Sequence, residues 1–161
     1  AASDIITAIL MVQFIGFPAA LGYNWFAKKI GTKNAVLVAI LGYVVITFLG
    51  YLMTDITHFY ILAALIGLFQ GGIQSLSRSL FTRLVPPNKE AEFFGFYNML
   101  GKFAAVVGPI LVGWITVLTG NPRAGILSIV VLFIFGGLLL SRVDFKEGER
   151  IALKFGVKLN A

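Results

Sequence analysis

Ala64-Leu65-Ile66-Gly67-Leu68-Phe69-Gln70-Gly71-Gly72-Ile73-Gln74-Ser75-Leu76-Ser77-Arg78-Ser79-Leu80 decides how this chain is read. It continues a charge-free run, Ile56 to Ser77, that meets the roughly 18–20 residues a bilayer-spanning helix needs. Yet it holds two glutamines, three serines and, at one end, an arginine. Polar groups are costly in hydrocarbon, so each calls for a partner, a cavity or a route to the interface.

Four other charge-free runs flank it: Ile5 to Ala27, Asn34 to Thr54, Phe103 to Pro122 and Ala124 to Ser141. The 161 residues are 58% hydrophobic and 12% charged, with mean hydropathy +0.92, against about a quarter charged in soluble domains. The reading is an all-α polytopic membrane protein with five transmembrane helices, about 4–26, 35–53, 58–81, 93–118 and 125–141, and a charged tail over 142–161. The first run lacks a basic leader and a small-residue cleavage site and contains Gln13 and Pro18, so it reads as a span rather than a signal peptide.

Alternating spans place ten of the thirteen Lys and Arg on one side: Lys28, Lys29, Lys33, Arg83, Lys89, Arg142, Lys146, Arg150, Lys154 and Lys158. Arg123 falls opposite, and Arg78 and Lys102 lie within or at the edge of spans. The positive-inside rule makes the crowded side cytoplasmic, so the chain starts outside and its tail is cytoplasmic. The net charge of +6 therefore points to a membrane surface, and no nucleic-acid partner is expected. An odd number of spans starting outside implies at least one earlier helix, hence a fragment of a longer protein.

The third helix carries two faces. Gly67, Gly71 and Ser75 recur every four residues, the small-residue spacing that lets two helix backbones approach. Gln70, Gln74, Ser77 and Arg78 form a polar stripe beside them, lining an aqueous cavity or bonding to a neighbouring helix. Arg78 lies ~6 Å inside the cytoplasmic end at 1.5 Å per residue, within reach of snorkelling; otherwise Glu90 or Glu92 is its nearest partner.

On the fourth helix Gly95, Asn98, Lys102, Ala105, Pro109 and Gly113 share a face. Lys102 is ~15 Å along the axis from Glu92, near mid-bilayer in an upright helix. Every acid in the chain lies at or beyond a span boundary. The partner of Lys102 is then a neutral side chain such as Gln70, Gln74 or Asn98, a residue of sequence not in this chain, or an anionic substrate; a structural tie or an interfacial lysine on a tilted helix are the plainer readings. The second helix, apolar all round, reads as lipid-facing or scaffold. Pro18 predicts a kink in the first. In the tail, Ile151, Leu153, Phe155 and Val157 fit a short surface-associated segment, against which Gly148 and Gly156 count.

The chain has one histidine, His58, no cysteine, and no acid pair within a span. These residues assemble neither a metal centre nor a nucleophile with its base, so no metal, cofactor or enzymatic activity is expected.

The segment Asn24 to Lys33 resembles the cytoplasmic Gly-x-x-x-Asp-Arg-x-Gly-Arg-Arg loop of the major facilitator superfamily: Lys29, Gly31 and Lys33 match in kind, Asn24 replaces the first glycine and Lys28 the acid. With Gln70 to Ser79, Pro86-Pro87, Glu90 to Gly95, Gly101-Lys102 and Gly108-Pro109 in order, the chain resembles the autophagy-related vacuolar effluxer family of that superfamily, with its bacterial relatives. The resemblance implies twelve helices in two halves, of which these five form most of the C-terminal half. It further implies a missing N-terminal half as partner and a small-molecule substrate, such as an amino acid, held between the halves near the midplane. On that reading Gln70, Gln74, Asn98 and Lys102 are the substrate-binding wall, and Lys28, Lys29, Lys33, Arg78 and Glu92 a gating or cytoplasmic charge network. The lipid environment expected is a bacterial inner membrane. The alternative is a five-helix membrane scaffold or partner subunit without transport of its own, its glycine face binding other helices.

Overall fold

The computed structural model describes residues 2–159, with side chains through Gly156. The side chains of Val157 and Lys158, and the last two residues of the expected tail, lie outside the described residues. Six helices follow one another: α1 (Ala2–Ile30), α2 (Thr32–Tyr51), α3 (Ile56–Thr82), α4 (Glu90–Thr119), α5 (Pro122–Arg142) and α6 (Phe145–Leu159). The first five are long and apolar enough to cross a membrane. The protein is an all-α polytopic membrane protein.

The helices overrun the apolar runs at their ends because interfacial water tolerates charged side chains on a continuing helix. The largest difference is at Asn24 to Lys33, read as a connection from its charges: α1 continues through Lys28 and Lys29 to Ile30, and Gly31 alone turns the chain into α2. Its φ of 87° lies in the left-handed region, which glycine adopts without steric penalty. Lys29 folds its ammonium over the Trp25 ring, 3.8 Å from the centroid.

Small residues set the packing. α1 and α3 run side by side in the same direction, Val12 against Gly67 and Gly16 against Gly71. A β-carbon at Gly67 would meet the Val12 carbonyl oxygen at 2.9 Å, and one at Gly71 would overlap the Gly16 carbonyl. The small-residue face of α3 is thus a backbone-to-backbone crossing with α1, and Gly72 extends it by accommodating the Tyr23 ring. Of the two roles open to α2, the fold gives it that of scaffold: it touches α1, α3 and α5 and buries Ala35, Val36, Ala39, Ile46 and Thr47. Ala27, Ala35, Val36, Leu76 and Leu80 form the core beside the α1–α2 turn. α4 is the outlying helix, packed mainly on α5, and none of its residues is buried.

The tail folds as well. Asp144 caps α6, its Oδ1 accepting from the backbone N–H groups of Lys146 (3.0 Å) and Glu147 (3.2 Å). Gly148 and Gly156, which counted against a helix, are its contact face: Gly148 lies under Leu84 and Gly156 against Pro87, both in the α3–α4 connection. The close approach this permits offsets their low helix propensity.

Candidate functional site: an open polar face on α3 and α4

The polar stripe of α3 divides in the fold. Gln74 and Arg78 are exposed, whereas Gln70 and Ser77 are half-buried. Ser77 turns into a cleft of about 360 Å³ shared with Ile73, Phe81, Tyr97, Leu140 and Phe145. At the end of that cleft nearest the α3–α4 connection the two helices meet through rings, the Phe81 centroid lying 4.7 Å from that of Tyr97 and 5.4 Å from that of Phe94. Among the described residues Gln70 and Gln74 make no hydrogen bond to Asn98 or Lys102.

Asn98 and Lys102 are exposed on α4. β-carbons added at Gly95, Gly101, Gly108 or Gly113 would meet nothing within 4 Å, so this helix presents open backbone as well as polar side chains. Lys102 lies roughly 18 Å along the axis from Glu90, where α4 begins. Among the described residues it has no hydrogen-bond or ion-pair partner, so none of the neutral residues considered for it provides one within this chain.

The charges expected to form a cytoplasmic network do not join into one among the described residues. Glu92 pairs with Lys89 at 2.6 Å instead of with Arg78, and the Glu90 carboxylate accepts from the Asn88 N–H. Lys33 donates to the carbonyls of Ser141 (2.8 Å) and Val143 (2.7 Å) at the end of α5. Lys28 instead lines a cleft of about 370 Å³ with Asn24, Thr32, Ser79 and Arg83. Arg83 and Ser79 were not singled out from the sequence; the spacing Ser79 to Arg83, one helical turn, is the signal that places both on one side of α3.

A family described as vacuole effluxer Atg22 like matches residues 1–153 of the chain. The chain belongs to that family. Among curated relatives of this Atg22-like chain is an uncharacterized MFS-type transporter, YxiO, of Bacillus subtilis, 37% identical over 141 residues, covering 88% of this chain and 33% of that protein. Autophagy-related protein 22-1 of Neosartorya fischeri is 32% identical over 159 residues, covering 99% of this chain and 23% of the relative. Autophagy-related protein 22 of Cryptococcus neoformans is 38% identical over 96 residues, or 60% of this chain and 18% of the relative. The Atg22-like chain thus spans a third or less of these relatives. No solved structure matches it.

Proposed function

We propose that this chain is one wall of a secondary active transporter working by alternating access, part of the C-terminal half of a major facilitator fold. Gln70, Gln74, Asn98 and Lys102 line the path of a small polar solute such as an amino acid. The observation that carries the reading is Lys102: exposed, deep along a spanning helix, and without a partner among the described residues. Such a lysine in contact with acyl chains is unfavourable by several kcal/mol, roughly 2.5–3.5 on insertion scales, so a cavity or a protein face covers it. An N-terminal half supplies that face, and the substrate passes between the two. The amide side chains offer both donors and acceptors, and the ammonium suits a carboxylate.

At the cytoplasmic end Lys28, Arg78 and Arg83 have no hydrogen-bond or ion-pair partner among the described residues and are available for contacts that form when the halves close, whereas Lys33 and Glu92 are engaged within the chain. The cytoplasmic placement of this end follows the positive-inside bias, and a cytoplasmic membrane of bacterial type suits the extensive match to the Bacillus relative. The open glycine face of α4 also favours the second reading, a scaffold whose α4 binds another helix.

Transport by the full-length protein with Lys102→Gln separates the two. A transporter using this wall loses apparent affinity for anionic substrates by roughly tenfold or more, the loss of one charge-assisted hydrogen bond. Unchanged affinity for every carboxylate-bearing solute rejects the role of Lys102, and absence of transport by the intact wild-type protein favours the scaffold.

A further inference from the structure

We propose that α6 is an interfacial helix lying in the cytoplasmic headgroup layer, with Ile151 and Phe155 inserted toward the acyl chains and Lys154 attracting the phosphates of anionic lipids. The placement follows from three features of the fold. α5 ends at Arg142, the Asp144 cap starts α6 at once, and Lys33 fixes the junction by bonding the Ser141 and Val143 carbonyls. The helix therefore emerges at the cytoplasmic boundary of the bundle. Docking of Gly148 and Gly156 on Leu84 and Pro87 then holds it beside the α3–α4 connection, at the same level.

One face of α6 is thereby covered by protein: Gly156 and Ala152 are buried, and Phe145 is half-buried. Ile151 and Phe155, one turn apart and 55% and 53% exposed, form an apolar flank that none of the described residues covers. Leu153 lies about 200° round the helix from Ile151 and faces away from that flank, with Lys146 on the same side. Arg150 is paired with Glu147 at 2.6 Å, while Lys154, about 60° round the helix from Ile151, forms no ion pair among the described residues. An apolar flank, a cation beside it and a spanning helix ending just before them are the elements of a helix that lies on an anionic surface.

This chain has no cysteine to be replaced, so single reporters are placed in a cysteine-free background of the full-length protein. Nitroxide labels at Phe155→Cys and Leu153→Cys are compared in the full-length protein, reconstituted in vesicles of phosphatidylcholine alone or mixed with phosphatidylglycerol. The label at 155 collides with oxygen several-fold more than with an aqueous nickel chelate, and more so in anionic vesicles. The label at 153 shows the reverse preference, and Lys154→Gln removes the dependence on lipid charge. Ile151→Cys gives the same readout should the variant at 155 fail to fold. Equal water access at 153 and 155 overturns the proposal, as does shielding of 155 from both quenchers, which identifies a protein cover. Lipid contact that ignores vesicle charge overturns the role of Lys154.

Discussion

Lys33 and Arg123 occupy the second positions of α2 and α5, and each donates to carbonyls at the far end of the other's helix. Lys33 Nζ bonds the carbonyls of Ser141 and Val143 where α5 ends, and Arg123 Nη2 bonds the Met53 carbonyl at 2.9 Å just beyond α2. A cation in a helix's first turn opposes its own dipole; here it satisfies the orphan acceptors of an antiparallel neighbour. This also gives Arg123, at the end of the bundle opposite the other loop cations, a physical reason to be there.

Replacing Lys33 or Arg123 by Met is expected to destabilise the bundle by about 1–2 kcal/mol each, discounted from the value of a buried charged hydrogen bond because both groups are partly solvated. The two latches sit at opposite membrane faces, ~30 Å apart along a helix of this length, so the double variant adds within about 0.5 kcal/mol. Thermal unfolding of the single and double variants in detergent checks both statements.

The α1–α3 crossing makes an asymmetric forecast. Gly71→Ala drives a β-carbon into the Gly16 backbone and costs about 1–3 kcal/mol. Gly16→Ala meets only an ordinary contact, 3.5 Å from the Gly67 oxygen, and is tolerated. Gly95→Ala on the open face of α4 meets nothing and gains up to about 1 kcal/mol of helix propensity. Melting temperatures should fall in that order reversed, with Gly71→Ala lowest.

The five spans and their order were legible because removing charge for some twenty residues has few purposes other than crossing a bilayer. Gly67 and Gly71 announced a packing face, but nothing on the apolar first helix marked Gly16 as its counterpart. Gly148 and Gly156 counted against a helix because propensity is local, and the contacts with Leu84 and Pro87 that reward them are not. Lys33 read only as topology, since a capping bond to a carbonyl more than a hundred residues away leaves no spacing in the sequence. Glu92 appeared near Arg78 by chain distance, yet Lys89 lies one turn away on its own side and takes it.

The α6 cap offers a local test. Asp144→Ala removes the acceptor for two backbone donors, and the start of α6 is expected to lose about 1 kcal/mol. Amide hydrogen exchange at Lys146 and Glu147 should rise roughly fivefold, while exchange in the middle of α5 stays unchanged.

The central claim is that Gln74 and Asn98 face a water-filled path and not lipid. Single cysteines at these positions, in a cysteine-free background of the full-length protein, can be compared with cysteines at Val131 and Phe135, exposed apolar positions on α5. Reaction with a membrane-impermeant maleimide in intact vesicles is the measurement. The account predicts labelling at 74 and 98, reduced by transported solute, and none at 131 or 135; positions 74 and 98 as unreactive as 131 and 135 would contradict it.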